Sequence, residues 1–226
     1  MCRNEKKKTK GDVEMIRKRS IITLMVAILA ILALTACTGG GSGGGKTKTY
    51  VMEAEYIDLS EAVGAGMSSE ASGVNMIWGN GESDKAKGWS SGYYVGFTYS
   101  AGLEFNFEFN SDKDATSTLI LRLGSEIGDV TFTPESLQVK MNGEEVTYTN
   151  LLVYGSDMAD MKFDDFTIAS NLNIKEGKNT ITITILDNTL RSGQIGGPMI
   201  DCIKIRTNAE LTWADKLDNP AGRGQI

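Results

Sequence analysis

The stretch Leu103-Glu104-Phe105-Asn106-Phe107-Glu108-Phe109-Asn110 leaves this chain few folds to choose from. Apolar and polar side chains alternate with period two, so Leu103 and the phenylalanines share one face while Glu104, Asn106 and Glu108 share the other. A strand with one buried face requires that arrangement. The pattern recurs, with turn residues between, at 50–57, 93–99, 116–123, 137–141, 145–148, 163–169, 180–186 and 199–206. Asn142-Gly143, between two of these runs, predicts a type I′ hairpin, because both central residues must accept positive φ. About nine strands at this spacing predict an all-β fold, a single-domain β-sandwich over residues 49–207. Residues 208–226 read as a tail that lays Leu211 and Trp213 back on the sandwich before fraying.

Ahead of the domain, Arg17, Lys18 and Arg19 lead into an apolar run at 21–36 that stops at Leu34-Thr35-Ala36-Cys37. A charged start, a short apolar run, small residues and then Cys resemble a bacterial lipoprotein signal, with residues 1–36 removed and Cys37 as the acyl (palmitate) acceptor. The run is short for a membrane span, which needs about 20 residues; an uncleaved anchor is the alternative. Cys37 opens a Gly/Ser-rich stretch, 37–48, that cannot bury apolar area and reads as a flexible tether of about 18 Å.

Removing 1–36 takes away eight basic and three acidic residues, so 15 of the 23 Lys and Arg and 26 of the 29 Asp and Glu remain, a net charge of −11. That balance argues against phosphate backbones and anionic head groups and excludes nucleic acid as a partner. Cys2 leaves with the signal and Cys37 is acylated, so Cys202 is the one remaining thiol and no intramolecular disulfide forms. Its apolar setting reads as a small buried hydrophobe.

Five segments then carry a family likeness: Tyr50-Val51-Met52-Glu53-Ala54-Glu55, Ser91-Gly92-Tyr93-Tyr94-Val95-Gly96, Val139-Lys140-Met141-Asn142-Gly143, Lys178-Asn179-Thr180-Ile181 and Gly197-Pro198-Met199-Ile200-Asp201-Cys202-Ile203-Lys204-Ile205. Together they resemble carbohydrate-binding modules of families 6 and 35, from about Tyr50 to Arg206. The resemblance implies a jelly-roll, galactose-binding-like sandwich, non-catalytic glycan binding and a structural calcium ion.

The residues also bear on calcium directly. Glu53 and Glu55, two apart on an expected strand, would project carboxylates from one face, and such oxygen ligands suit a hard cation; a solvated face is the alternative. The resemblance supplies the third ligand, Asp201, with backbone carbonyls completing the shell, so that the ion clamps first strand to last. The chain has no histidine, which removes the commonest ligand of zinc, copper and non-haem iron.

A glycan site needs a flat apolar surface for a sugar ring and a few convergent polar groups. Trp78 and Trp89, in the polar stretch between the first clear strands, are candidates, with Tyr154 in a later loop and Tyr94 as a weaker one. For each, the alternative is a ring folded back over the core. Asn188 would hydrogen-bond a sugar hydroxyl or serve as a plain turn residue. The family often has Asn where this chain has Met199, and a thioether cannot donate to a hydroxyl, so the contact shifts elsewhere, to Asn188 or Gln194, or the usual site is altered. Arg191 would pair with a uronic acid or stand as a solvated loop cation.

Catalysis finds little support. Without histidine no Ser–His or Cys–His arrangement exists, and Asp157, Asp160, Asp164 and Asp165 read as a solvated acidic loop. The expectation is a non-enzymatic, monomeric lipoprotein, anchored at the cell membrane and facing outside the cytoplasm, that binds poly- or oligosaccharide. A protein-interaction or adhesion module on the same fold, or a small glycan-cleaving enzyme, are the alternatives.

Overall fold

In a computed structural model, contacts separate residues Met1–Gly44 from a unit running from Gly45 to Ile226. The structure describes residues 46–60, 77–78, 88–96, 98, 101–125, 128–155, 162–186 and 197–220. Cys37, Asn188, Arg191, Gln194, Asp157 and Asp160 lie outside them. Among the described residues no helix is long and apolar enough to cross a membrane.

The described residues form thirteen strands and one 3-10 turn. One sheet has the order β13-β4-β11-β7-β8, built from Leu211–Trp213, Glu104–Ser111, Gly177–Ile185, Leu137–Met141 and Glu144–Glu145 respectively. The other has the order β10-β5-β12-β3-β2, from Asp164–Ile174, Ala115–Ser125, Pro198–Thr207, Tyr94–Val95 and Ile77–Trp78. β1, Lys48–Glu53, also pairs with β12, from Glu53 opposite Cys202 to Lys48 opposite Thr207. A small two-stranded antiparallel sheet joins β6, Val130–Phe132, to β9, Leu151–Val153. The chain is therefore an all-β sandwich, as the alternation predicted.

The period-two pattern of β4 explains the core. Leu103, Phe105, Phe107 and Phe109 have no exposure, and Ile181, Ile183 and Ile185 of β11 lie beside them with Leu137, Val139 and Met141 of β7. Phe107 stands opposite Ile181, which stands opposite Met141, so one row of apolar side chains crosses three strands. Leu119, Leu121 and Leu123 of β5 and Ile203 and Ile205 of β12 face it from the second sheet. Cys202 is buried and free, and burial pushes its thiol up, consistent with a packed and unreactive residue.

The hairpin forms as predicted. Asn142 has φ 52° and Gly143 φ 83°, and Met141 pairs with Glu144 across them. Asn179, 1% exposed, ties this hairpin to the β10–β11 turn. Its carbonyl accepts from Asn142 Nδ2 and the Lys175 amide, both at 3.0 Å, and its Nδ2 donates to the Lys175 and Gly177 carbonyls at 2.7 and 2.9 Å. A buried amide with every polar atom engaged adds specificity without an unpaired group.

Several boundaries differ from the sequence reading. The expected strand at 145–148 is a two-residue strand at Glu144–Glu145, because Tyr148 instead turns inward and hydrogen-bonds the Leu137 carbonyl. The tail does more than lie on the sandwich: Leu211, Thr212 and Trp213 pair with Ser111, Asn110 and Phe109 and add β13 to the sheet edge.

Truncating the centre of the phenylalanine row should be expensive. Phe107→Ala is expected to lower unfolding free energy by about 3–5 kcal/mol, read as a shift of the urea midpoint with an unchanged slope.

Candidate functional site: a buried carboxylate cluster under the 88–92 loop

β1 ends at Glu53, and the chain then coils through the 3-10 turn Ala54–Tyr56. Glu53 and Glu55 are therefore not two positions on one strand face, as their spacing suggested. The turn instead rolls Glu55 inward, where it has no exposure. Asp201, on the neighbouring β12, also has none. It sits where the β12–β5 register slips: Ile200 faces Leu123 and Cys202 faces Arg122, leaving Asp201 as the extra residue of a bulge. Bulges re-aim side chains, and this one puts a carboxylate where the alternation would otherwise continue.

A loop brings the carboxylates under one cover. The Ser90 amide donates to both carboxylate oxygens of Asp201, at 3.1 and 3.2 Å, while its hydroxyl bonds Glu53; the Ser91 hydroxyl bonds Glu55. Positive φ at Gly88 (97°) and Gly92 (88°) lets the loop fold flat over the sheet. Arg122 of β5 closes the other side. Its Nε lies 3.0 Å from Asp201 Oδ2, its Nη1 donates to Asp165 at 3.0 Å and its Nη2 to the Gly88 carbonyl at 2.6 Å. Lys204 donates to Asp165 at 2.6 and 2.8 Å. Asp165 is thus a member of an ion-pair network rather than of a solvated loop. Sequence reasoning passed over Arg122, whose signal is a lone charge inside Leu119-Ile120-Leu121-Arg122-Leu123.

Electrostatics follow from the crowding. Burial pushes Glu53 up to about 7, opposed by the Ser90 hydrogen bond and reinforced by Asp201. Burial pushes Glu55 up to about 8, opposed by Ser91 and reinforced by Glu53 and Asp201. Asp201 is raised by burial too, with Ser90 and Arg122 holding it down.

Among the described residues, no group of His, Cys, Asp and Glu side chains is already drawn together as a metal-holding set. The donor chemistry nonetheless fits a hard cation. The carboxylate and hydroxyl donors are oxygens, with one sulfur, Cys202 Sγ, 3.9 Å from Asp201 Oδ2; Arg122 and Lys204 supply the facing positive charge on Asp201; and Glu55 Oε2 is buried with no hydrogen-bond partner. An orphaned carboxylate oxygen beside two other carboxylates is a position that a cation would satisfy.

The aromatic candidates separate. Trp89 is 5% exposed and Tyr94 has no exposure. With Phe163 and Met199 they form a second apolar cluster on the outer side of the β12 sheet, distinct from the main core. Trp89 meets Tyr94 and Phe163 edge-on, at 5.0 and 6.4 Å between ring centroids. Of the two arrangements left open for these rings, the structure has the folded-back one. Met199, 1% exposed, adds a thioether side chain to the apolar contacts of these rings. Tyr93, not Tyr94, is the half-buried member of its pair. Trp78 pairs through its backbone with Tyr94 in β2. Tyr154 is 55% exposed, just past β9, in the outward direction also taken by Leu152 at 46%.

No family model matches the chain, and no curated protein does. Solved structures do. A family 35 carbohydrate-binding module from Cellvibrio japonicus is 9% identical, with TM-score 0.47, over 75% of this chain and 99% of its own. One from Clostridium thermocellum is 14% identical, with TM-score 0.42, over 70% and 97%. The Podospora anserina GH26-CBM35 beta-(1,4)-mannanase is 16% identical, with TM-score 0.44, over 70% of this chain and 27% of that enzyme.

Two outcomes are expected. Trp89→Ala should cost about 3–5 kcal/mol of stability, as a core truncation does. In a chelating buffer, stability should fall as pH rises. Glu53 and Glu55 keep protons to about 7 and 8 in the folded state, whereas unfolded glutamates lose theirs near 4.3, so the folded state binds more protons between those values. Urea midpoints at pH 5 and pH 8.5 measure the difference, and a higher midpoint at pH 8.5 would contradict it.

Proposed function

We propose that this protein is a non-catalytic glycan-binding module, held at the cell surface by a lipid on Cys37, with a calcium ion where β1 meets β12. The observation that carries the reading is the convergence of Glu53, Glu55 and Asp201 under Ser90 and Ser91. Asp201 lies far in sequence from the pair Glu53 and Glu55, and the family resemblance names it as the third calcium ligand beside them. When bound, the ion would supply positive charge that offsets carboxylates the chain itself leaves under-neutralised. Glu53, Glu55 and Asp201 would hold it.

Glycan contact moves in this reading from Trp89 to Tyr154. An exposed ring beside an exposed leucine offers the C–H face of a poly- or oligosaccharide a stacking surface. The surplus of acidic residues favours neutral sugars over polyanionic ones.

On a glycan array, the parent should bind a defined set of sugars, and Tyr154→Ala should weaken that binding about tenfold. Unchanged binding removes Tyr154 from the site, and an array with no binding removes the glycan reading. Chelation should lower the melting temperature more at pH 8 than at pH 5, because protons compete for the same carboxylates. Asp201→Asn should abolish that sensitivity. Labelled palmitate should enter the parent and not Cys37→Ala.

A further inference from the structure

We propose that the C-terminal segment 211–217 is a strap that holds the Glu55 turn in its metal-binding shape, so that cation affinity is set from the far end of the chain. The inference rests on the calcium reading above and concerns residues that reading does not use.

The turn is poorly equipped to hold itself. Ala54–Tyr56 is three residues long, has no side-chain cap, and closes on one backbone hydrogen bond of 3.5 Å, from Ile57 N to the Ala54 carbonyl. Such a short 3-10 turn has little intrinsic stability. Yet it must keep Glu55 aimed inward beside Glu53 and Asp201, and a hard cation bound by several carboxylates needs its ligands pre-positioned.

The core buries Ala54 and Ile57 and the Ser91 hydroxyl bonds Glu55, and the strap adds a restraint from the opposite layer at Tyr56, which neither of these holds. β13 is hydrogen-bonded to β4 in the β4–β11 sheet, and the Ala214 amide continues that pairing to the Glu108 carbonyl at 2.8 Å. Three residues later the Leu217 amide donates to the Tyr56 carbonyl at 2.8 Å, so the chain has crossed to the turn that follows β1. The side chains make the same crossing. The Trp213 and Tyr56 rings meet edge-on, 6.5 Å between centroids at 73°. Lys216 Nζ lies over both, 5.1 Å from the Tyr56 centroid and 5.7 Å from that of Trp213. Trp213 Nε1 donates to Asp215 at 2.5 Å, which fixes the indole within the strap. Tyr56 is the residue directly after Glu55, so whatever fixes its ring and carbonyl fixes the backbone that carries the carboxylate.

The test is a calcium titration of the full chain by calorimetry, with melting temperatures in chelator alongside. Leu217→Pro removes the amide that bonds Tyr56 while Leu217→Ala keeps it. The expected result is calcium affinity about tenfold weaker for Leu217→Pro and Trp213→Ala. Leu217→Ala is expected within about twofold of the parent, and the chelated melting temperatures of all three should stay close together. Parent-like affinity in both Leu217→Pro and Trp213→Ala overturns the strap and leaves the calcium site standing. Affinity lost only together with the chelated fold also overturns it. A parent that takes up no calcium overturns both.

Discussion

A carboxylate with no exposure to water, left unpaired, costs several kcal/mol, and the placement of Asp201 organises much of the rest of this protein. Arg122 Nε faces it from β5 and the Ser90 amide caps it from above. Each partner brings its own surroundings. Arg122 also holds Gly88 and Asp165, and Ser90 also holds Glu53. One bulge in β12 therefore ties together the 88–92 loop, Arg122 of β5 and, through Ser90, Glu53 at the end of β1.

The loop has two roles that conflict with a third. Residues 88–92 cover the carboxylates, and Trp89 in the same loop covers the outer side of the sheet with Tyr94, Phe163 and Met199. A ring committed to that cluster is not presented to a ligand. Met199 packs with the three rings and adds apolar contact to that commitment. The stacking surface that remains among the described residues lies on the β6–β9 sheet, at Leu152 and Tyr154.

Periodicity was the legible part of the fold. β4 and β7 read directly from their alternation, and the Asn142-Gly143 turn from its chemistry. The short pieces were not legible. β2, β3 and β8 are two residues long and exist through pairing, β3 with the long β12, β8 with β7 and β2 with β3, so no local pattern announces them. Glu53, Glu55 and Asp201 were expected as calcium ligands; the structure brings them under one loop, with β1 paired to β12 as implied and Glu55 on a 3-10 turn that the spacing did not announce. Arg122 was missed because an arginine in an alternating strand looks like any solvent-facing charge until the partner strand is known.

The amino-acid sequence alone determined that the chain forms strands, where the long ones run, which faces are apolar, and that acidic oxygen donors dominate its chemistry, because side-chain period and composition are local properties. Only the tertiary structure decided which carboxylates share a site, which aromatic rings are buried, and that the tail reaches the turn beside Glu55. Those outcomes depend on strand register, on a one-residue bulge and on contacts between segments more than a hundred residues apart, such as Ser90 with Asp201, and no stretch of sequence encodes them by itself.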